Sequence, residues 1–332
     1  MYILNKIQLT SGEWFSQVDD ETILDASLRS SISLPYSCRF GECMACKCKL
    51  VSGDTKVTHH ELGLRQEEVD EGWILPCVRT ATSDLQIDAD VITGFSFFTE
   101  QTLPLKIHHI SIVNDDVMIV LLRPPRGRCL HYYPGQYVFV TGPTGERRAY
   151  SIANKCDESG VLEFHIKYIP GGVLSEYWFR QARVGDLLRI RGPYGTFFLR
   201  DITNRDLYFL ATGTGIAPIK AMLEQVSSLD FDDAPRSITV FWGGRRPSDF
   251  YMKIASQFGD FKFTRVVSRA SKEWDGDVGY VQDILLDQGL PNAGSRVYAC
   301  GSIQMINSAL HKLTQAGFVQ SDFYSDAFLQ SY

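Results

Sequence analysis

The sequence lacks an excess of positive charge and any long apolar run. It has 33 lysines and arginines against 39 aspartates and glutamates, a formal net charge of −6. A nucleic-acid surface needs a basic excess, so no nucleic-acid partner is predicted. No run reaches the roughly 18 apolar residues of a membrane helix, and the first residues show no secretory signal. We therefore expect no membrane partner and a cytoplasmic location.

Cysteine is present, with eight residues in 332, and four of them have the spacing of metal ligands. Cys38, Cys43 and Cys46 form C-x4-C-x2-C, and Cys77 follows after 30 further residues. Reduced cytoplasmic thiols favour metal over disulfides, and this spacing is the plant-type [2Fe–2S] pattern. Zinc sites usually use two short cysteine pairs, and Cys77 has no near mate, so zinc is the less favoured alternative.

Residues around these cysteines carry two further predictions. Gly41 allows the loop to turn and brings backbone N–H groups towards the sulfurs. Cys48, Cys129 and Cys156 are predicted to be small buried apolar residues.

The length and the changing pattern predict three domains. Residues 1–92 mix strands with a helix whose N-cap is predicted to be Asp20, and residues 93–103 are predicted to be a linker. Residues 104–203 hold short alternating runs split by proline and glycine, which predict an antiparallel barrel. Residues 204–332 alternate buried strands with helical segments, one of them over 249–258. This alternation predicts a parallel sheet with helices on both faces.

The predicted barrel carries residues suited to a pyrophosphate and a ring system. Arg148, Tyr150 and Ser151 lie in R-A-Y-S, and Gly172 and Ser175 lie in the later G-G-V-L-S. An arginine fork suits a pyrophosphate, a tyrosine can lie on a ring, and a serine hydroxyl can bond a ring nitrogen. Gly172 and Ser175 offer donors to phosphate. A turn-rich barrel without a ligand is the alternative.

The third domain opens with a glycine-rich strand–helix junction. Residues 211–218 read A-T-G-T-G-I-A-P, in which Gly213, Thr214 and Gly215 precede a predicted helix. A dinucleotide pyrophosphate binds backbone amides at such a junction, and Pro218 suits the first helical turn. The third glycine of G-x-G-x-x-G is missing, so a ligand-free turn is the alternative.

Together these segments resemble the ferredoxin–NADP reductase superfamily with an N-terminal plant-type ferredoxin domain. The resemblance implies a multidomain chain: an α+β ferredoxin-like (β-grasp) domain with a [2Fe–2S] cluster, an antiparallel β-barrel FAD domain and an α/β parallel-sheet nicotinamide domain. It implies that Arg148 contacts the FAD pyrophosphate, Tyr150 packs on the isoalloxazine and Ser151 lies near its N5. Superfamily members carry the same G-T-G-x-A-P form.

The resemblance also assigns residues late in the chain. It places Cys300 and Gly301 beside the nicotinamide C4, so Cys300 and Ser151 are the predicted catalytic residues. Without it, Cys300 would be expected to be a buried strand residue. Phe328 lies either in a plain edge strand or near the flavin. Ser268 and Arg269 resemble an NADPH 2′-phosphate grip, yet similar residues occur in NADH-using relatives. NADH and NADPH both stay open, with NADH favoured.

Electron counting connects the three predicted sites. A nicotinamide gives up two electrons as a hydride and a [2Fe–2S] cluster accepts one, whereas a flavin takes two and releases them singly. The sequence therefore predicts an NAD(P)H-dependent reductase that passes electrons through FAD and the cluster to a partner protein. No general acid, base or nucleophile for substrate turnover is visible, so the final chemistry is expected in the partner.

Two groups of reductases share this arrangement with the cluster domain first. The favoured group is the CDP-6-deoxy-Δ3,4-glucoseen reductases, which feed a pyridoxamine-phosphate dehydratase in 3,6-dideoxyhexose synthesis; the similar segments include R-R-A-Y-S-I-A-N and the F-Y-S-D-A-F tail. The alternative is the reductase components of phenol, methane and aromatic-ring oxygenases, whose partner is an oxygenase component. A non-catalytic redox sensor is a further alternative.

Overall fold

A computed structural model describes residues 4–254 and 260–328, which form two compact units divided between Phe97 and Phe98. The first unit contains strands β1 (Leu4–Leu9), β2 (Trp14–Val18), β3 (Cys48–Ser52), β4 (Thr55–Val57), β5 (Trp73–Ile74), β6 (Arg79–Ala81) and β7 (Leu85–Asp88), with helices α1 (Ile23–Arg29) and α2 (Gln66–Asp70). Five strands form a mixed sheet in the order β2-β1-β7-β3-β5, and β4 pairs with β6. Side chains alternate between the two faces of a strand, so Ile7 and Leu9 of β1 share the buried face.

Helix α1 begins at Ile23, two residues later than an N-cap at Asp20 would require. The Thr22 side chain accepts a hydrogen bond from the Asp25 backbone N–H at 3.0 Å, which makes Thr22 the N-cap. Asp20 instead pairs with Lys56 at 2.8 Å. The prediction of Asp20 was wrong because a capping oxygen must lie immediately before the first helical residue to reach the third amide.

The second unit starts with a nearly closed antiparallel barrel, which confirms the predicted architecture. Its strands are β8 (Gln101–Ile112), β9 (Val117–Arg123), β10 (Tyr137–Thr141), β11 (Arg147–Ser151), β12 (Leu162–Lys167) and β13 (Leu187–Tyr194), with helix α3 (Val173–Glu176) between β12 and β13. The order is β11-β10-β13-β8-β9-β12. Just beyond β11, the Ala153 N–H donates to the Glu163 carbonyl of β12 at 2.8 Å, which brings the two edge strands together.

The second unit continues with the predicted parallel sheet. Its strands are β14 (Asp206–Thr212), β15 (Ser237–Gly244), β16 (Phe261–Val267), β17 (Asp277–Val278), β18 (Arg296–Ser302) and β19 (Phe323–Phe328), and its helices are α4 (Ile216–Val226), α5 (Val281–Asp287) and α6 (Ile303–Gln315). All neighbouring pairs are parallel, in the order β17-β16-β15-β14-β18-β19. The chain changes direction across the sheet after β17, so the carboxyl ends of β14 and β18 meet at a topological switch point.

Two segments of the second unit differ from the sequence-based expectation. The helix predicted over 249–258 is absent from its described part: residues 247–249 form a single 3₁₀ turn, residues 250–254 are irregular, and the rest lies outside the described residues. Phe250 and Tyr251 both pack on the Trp242 ring, a geometry that suits an irregular segment better than a helix, where neighbouring side chains diverge. Strand β8 begins at Gln101, inside the predicted linker, because Gln101 pairs with Gly192. The predicted boundaries at 92, 103 and 203 stay predictions.

Candidate cofactor and electron-transfer site

The four spaced cysteines are all buried in the first unit. Cys38, Cys43, Cys46 and Cys77 expose between 6% and 9% of their surface. The Cys38 N–H donates to the Cys43 sulfur at 3.4 Å, and the Phe40 N–H donates to the Cys38 sulfur at 3.3 Å. Backbone donors therefore already point at the sulfurs, as hydrogen bonding to cluster thiolates requires.

Both the backbone conformation and the lack of space for a Cβ require glycine at position 41. Its φ is +75°, and a Cβ there would lie 2.4 Å from the His60 carbonyl oxygen. The Gly63 N–H donates to the Gly41 carbonyl at 2.8 Å, so the segment before Leu64 supports the cysteine loop from behind. Only glycine allows this close backbone approach.

The four sulfurs form two hydrogen-bonded pairs. This arrangement can be compared with the ligand requirement of an iron–sulfur cluster. A hydrogen bond from Cys43 lowers the pKa of Cys38, while the same bond and burial raise the pKa of Cys43. A hydrogen bond to Cys77 and burial raise the pKa of Cys46. Within the described residues, no three metal-binding side chains converge on one ion position. A two-iron cluster held by four cysteines needs two per iron, so the pairs Cys38–Cys43 and Cys46–Cys77 fit it.

The other predicted buried cysteines divide into two cases. Cys48 is 3% exposed at the start of β3, as predicted. Cys129 and Cys156 are only partly buried. Their prediction was wrong because both lie in loops beside polar groups: the Cys129 sulfur is 3.3 Å from His131 Nε2, and Cys156 donates to the Leu130 carbonyl at 3.6 Å.

The candidate flavin residues gather around β11. Arg148 and Tyr150 are two residues apart in this edge strand, so they share a face. The Tyr150 hydroxyl accepts a hydrogen bond from the Trp178 indole N–H at 3.2 Å. Burial raises the pKa of Tyr150, so its hydroxyl stays neutral at physiological pH. The described partner of the Arg148 guanidinium is the Arg147 carbonyl at 3.0 Å, which leaves donors to spare for an anion.

Gly172 and Ser175 lie shortly before Trp178, whose indole N–H bonds to Tyr150 of this strand. Gly172 precedes α3, and the Ser175 hydroxyl accepts a hydrogen bond from the Ile169 N–H at 2.7 Å. The preceding Gly171 has φ +76°, and no described atom beyond its chain neighbours lies within 4 Å of where its Cβ would be. The hydrogen bond from Ile169 to Ser175 therefore closes the loop, and the space beside Gly171 is available to a ligand.

The candidate nucleotide loop lies at the switch point of the parallel sheet. Gly213, Thr214 and Gly215 form a 3₁₀ turn between β14 and α4, and Pro218 is the third residue of α4. A Cβ on Gly215 would lie 2.2 Å from the Cys300 carbonyl oxygen. This contact brings the predicted pyrophosphate loop directly against the Cys300–Gly301 pair of β18.

Side chains from three strands converge beside this loop. Cys300 is fully buried, and it pairs in register with Asp326 of β19. The Ser151 hydroxyl, at the end of β11, donates to the Asp326 carboxylate at 3.3 Å. Burial and the Asp326 charge raise the pKa of Cys300, so its thiol is protonated at neutral pH. The structure thus unites the two predicted catalytic residues through Asp326, which sequence reasoning missed. An acidic residue within an aromatic strand was the available signal.

The remaining predicted residues lie at or just beyond the carboxyl ends of other strands of the parallel sheet. Ser268 and Arg269 are exposed beyond the end of β16, and the Arg269 N–H donates to the Arg245 carbonyl at 2.9 Å. Phe328 ends β19, which forms the edge of the sheet, and pairs in register with Ser302. The edge strand expected for Phe328 is therefore present, while its approach to a flavin stays a prediction.

Three family models match consecutive parts of the chain. Residues 8–82 match a 2Fe-2S iron–sulfur cluster binding domain, residues 104–199 an oxidoreductase FAD-binding domain and residues 209–311 an oxidoreductase NAD-binding domain. The [2Fe–2S] cluster, FAD and nicotinamide nucleotide predicted from the sequence are thereby confirmed as its cofactors. Across residues 4–254 and 260–328, no helix has the length and hydrophobicity of a membrane span.

Whole-length relatives agree with this arrangement. The CDP-6-deoxy-L-threo-D-glycero-4-hexulose-3-dehydrase reductase of Yersinia pseudotuberculosis is 36% identical and covers 97% of both chains. The phenol hydroxylase P5 protein of Acinetobacter pittii is 31% identical over 94% of this chain and 91% of its own. The crystal structure of an Amycolatopsis cytochrome P450 reductase, GcoB, has a TM-score of 0.75 at 25% identity and covers 98% of both chains.

The domain models and the relatives define the activity class as well as the fold. The chain is an NAD(P)H-dependent oxidoreductase with FAD and a [2Fe–2S] cluster, which passes electrons to an acceptor protein. It belongs to the ferredoxin–NADP reductase superfamily, among the members that carry an N-terminal plant-type ferredoxin domain.

Proposed function

We propose that this chain delivers electrons to a pyridoxamine-phosphate dehydratase of 3,6-dideoxyhexose synthesis, as a CDP-6-deoxy-Δ3,4-glucoseen reductase. The observation that carries the proposal is the 36% identity over 97% of both chains to the Yersinia dehydrase reductase. The phenol hydroxylase component is less similar, at 31%. A cytoplasmic location is part of the proposal, because a reducing compartment keeps cysteines available as cluster ligands.

The proposal assigns one role to each group of residues. Cys38, Cys43, Cys46 and Cys77 ligate the cluster. Arg148, Gly172 and Ser175 hold the FAD pyrophosphate, while Tyr150 and Phe328 contact its ring. Gly213, Thr214, Gly215 and Pro218 receive the nucleotide pyrophosphate, and Gly301 stands with Cys300 beside the nicotinamide. Ser268 and Arg269 face the adenosine ribose.

The chain's contribution to the chemistry is positioning and charge. When bound, FAD takes up the two electrons of a hydride and returns them singly to the cluster. The Arg148 guanidinium balances pyrophosphate charge through its fork of donors. Asp326 accepts a hydrogen bond from the Ser151 hydroxyl and thereby fixes its direction, and Ser151 would lie beside the flavin ring. The buried Cys300 thiol is protonated, so it would place no charge beside the nicotinamide.

NADH is the proposed nucleotide, so the wild-type kcat/KM should be higher for NADH than for NADPH; Arg269 is the residue expected to respond to a 2′-phosphate. Its guanidinium is exposed at the sheet edge, where a 2′-phosphate would gain a charge-assisted hydrogen bond. We expect Arg269→Ala to change kcat/KM for NADH less than about twofold, and to lower that for NADPH by about tenfold, the range of a lost charged hydrogen bond.

The proposed partner is tested by reconstitution under anaerobic conditions. The cluster-replete protein is mixed with NADH, a purified CDP-6-deoxy-L-threo-D-glycero-4-hexulose-3-dehydrase and the sugar substrate of that dehydrase. We expect NADH oxidation and deoxygenated sugar to appear together, and both to require the dehydrase.

Cytochrome c serves as an unspecific acceptor that verifies an active reductase in every preparation. If cytochrome c is reduced but the dehydrase produces no sugar product, the proposed partner is wrong. Faster turnover with a phenol hydroxylase oxygenase component would establish the oxygenase alternative, which the similarity to the Acinetobacter protein supports.

A further inference from the structure

A partly buried polar network connects the barrel to the nucleotide-binding sheet within the second unit. We call Glu163, His165, Lys220, Glu224 and Tyr251 the interdomain network. Glu163 Oε1 lies 2.7 Å from His165 Nε2, and Lys220 Nζ lies 3.2 Å from the Glu163 carboxylate and 2.6 Å from Glu224. The Tyr251 hydroxyl lies 2.8 Å from His165 Nδ1. Glu163 and His165 belong to β12, whereas Lys220 and Glu224 belong to α4.

Burial makes this network costly to disturb. The His165 side chain is fully inaccessible, and both its ring nitrogens have a partner. Burial raises the pKa of Glu163, but hydrogen bonding to His165 and the Lys220 charge outweigh it and lower the pKa overall. The charged members are only partly buried, but removing one of them leaves its partner uncompensated beside the buried His165 ring. The network therefore holds one relative placement of β12 and α4.

One arm of the network reaches the candidate flavin strand. The Lys220 ammonium donates to the Ala153 carbonyl at 3.1 Å, and the Ala153 N–H donates to the Glu163 carbonyl at 2.8 Å. Glu224 accepts from the Lys155 N–H at 3.0 Å. Ala153 follows Ser151 by two residues, so α4 and β12 together fix the chain that carries Ser151.

The other arm reaches the candidate nucleotide loop. The Tyr251 ring packs edge-on against Trp242, with 5.2 Å between the ring centroids. The Trp242 indole N–H donates to the Gly213 carbonyl at 2.9 Å. An unbroken series of contacts therefore joins Glu163 to Gly213, while α4 itself begins directly after that loop.

We propose that the interdomain network positions the nicotinamide against the flavin ring, by holding the Ser151 end of β11 and the Gly213 loop in a fixed relation. The proposal rests on the cofactor placement given under the proposed function. Hydride transfer depends steeply on geometry, since a misplacement of about 1 Å can cost about 10²-fold in rate. Residues remote from the reacting atoms then influence the rate through alignment alone.

Glu163→Gln tests the proposal, because it removes the charge and keeps the size of the side chain. In anaerobic rapid mixing of the holoprotein with NADH, we expect the limiting rate of flavin reduction to fall about tenfold or more. The apparent Kd for NADH should change less than about threefold, since the binding residues are intact. In the resting holoprotein, hydrogen exchange of the amides at 148–154 and 211–218 should be faster than in the wild type.

Lys312→Met is the matched control, because it removes an ion pair of 2.5 Å with Asp283 that stays inside the nucleotide domain. It should leave the limiting rate and the exchange of both segments unchanged. Lys220→Met should behave like Glu163→Gln, and Lys220→Arg should recover most of the rate. If Glu163→Gln yields no FAD-loaded protein, Tyr251→Phe is measured by the same criteria, because it removes only a single hydroxyl.

The proposal is overturned if the FAD-loaded Glu163→Gln protein keeps a limiting rate within twofold of the wild type, or if only its Kd changes. Unchanged hydrogen exchange in both segments would equally overturn it. The identity of the electron acceptor does not enter this measurement. Failure of the dehydrase reconstitution therefore leaves the test intact, and failure of this test leaves the proposed partner intact.

Discussion

At the scale of single residues, five buried cysteines of the first unit differ in what surrounds their sulfurs. Cys38, Cys43, Cys46 and Cys77 lie in two pairs, and backbone N–H groups donate to the Cys38 and Cys43 sulfurs, whereas the pKa of Cys48 is raised by burial and the Asp88 charge and by no other thiol. Burial alone therefore does not distinguish the four proposed ligands from Cys48. Their arrangement in pairs does.

We expect Cys77→Ser to lose most of its iron, because one iron of the cluster then has a single thiolate. Iron content and the visible absorbance of the purified protein measure this. Bound FAD and its reduction by NADH should persist, since the flavin residues lie in the second unit. Cys48→Ser is the matched control and should keep its iron. Equal iron in the two variants would contradict the ligand assignment.

Asp326 is the second residue whose role depends on its surroundings. It is 4% exposed and accepts the Ser151 hydroxyl. We expect Asp326→Asn to slow the limiting rate of flavin reduction about tenfold, because weakening a charge-assisted hydrogen bond costs roughly 1.4 kcal/mol. Rapid mixing with NADH measures the rate separately from the Kd. The neighbouring Ser325→Ala should match the wild type, and an unchanged rate in Asp326→Asn would refute the positioning role.

At the scale of elements, the junction of β14 with α4 is set by its contact with β18. Gly215 has φ −60°, which alanine also adopts, so its requirement for glycine comes from space alone. The 2.2 Å separation between a Cβ there and the Cys300 carbonyl oxygen leaves no room for a methyl group. The loop is therefore packed directly against the Cys300 strand.

We expect Gly215→Ala to lower the free energy of unfolding by about 1–3 kcal/mol, the usual cost of overpacking, and to weaken NADH binding. Chemical denaturation and a titration of flavin reduction measure the two effects. Gly289→Ala, after α5, provides the comparison: its φ of +118° makes alanine strained, but no described atom beyond its chain neighbours crowds it. It should lose stability and keep NADH affinity. Unchanged NADH affinity in Gly215→Ala would show that the loop does not bind the nucleotide.

At the scale of the whole molecule, the chain combines a two-electron donor site with a one-electron outlet. One FAD and one [2Fe–2S] cluster hold three electrons, so the fully reduced protein requires about 1.5 equivalents of NADH. An anaerobic titration followed by visible absorbance should reach its endpoint there. The Cys77→Ser protein should end at about one equivalent, because it retains the flavin alone. A common endpoint for both proteins would mean that the cluster does not draw electrons from the flavin.

The cofactors, the fold class and the family of this protein can be read from its amino-acid sequence. Cysteine spacing, the R-A-Y-S and G-T-G-I-A-P segments and the strand patterns are local features, and local backbone geometry is what such patterns encode. The antiparallel barrel and the parallel sheet could be predicted for that reason, and the structure confirms both. The individual site residues remain predictions, although the structure brings Ser151 and Cys300 to the same carboxylate.

Which distant residues meet became known from the folded structure. Asp326 reaches Ser151 across 175 positions of the chain, and Lys220 reaches Glu163 across 57. The pairing of Cys46 with Cys77 and the irregular segment at Phe250 likewise depend on neighbours from other elements. No periodicity records such contacts, because they arise from how the barrel packs on the nucleotide sheet and how separate loops meet. The proposed alignment of the two cofactors therefore depends on the folded molecule.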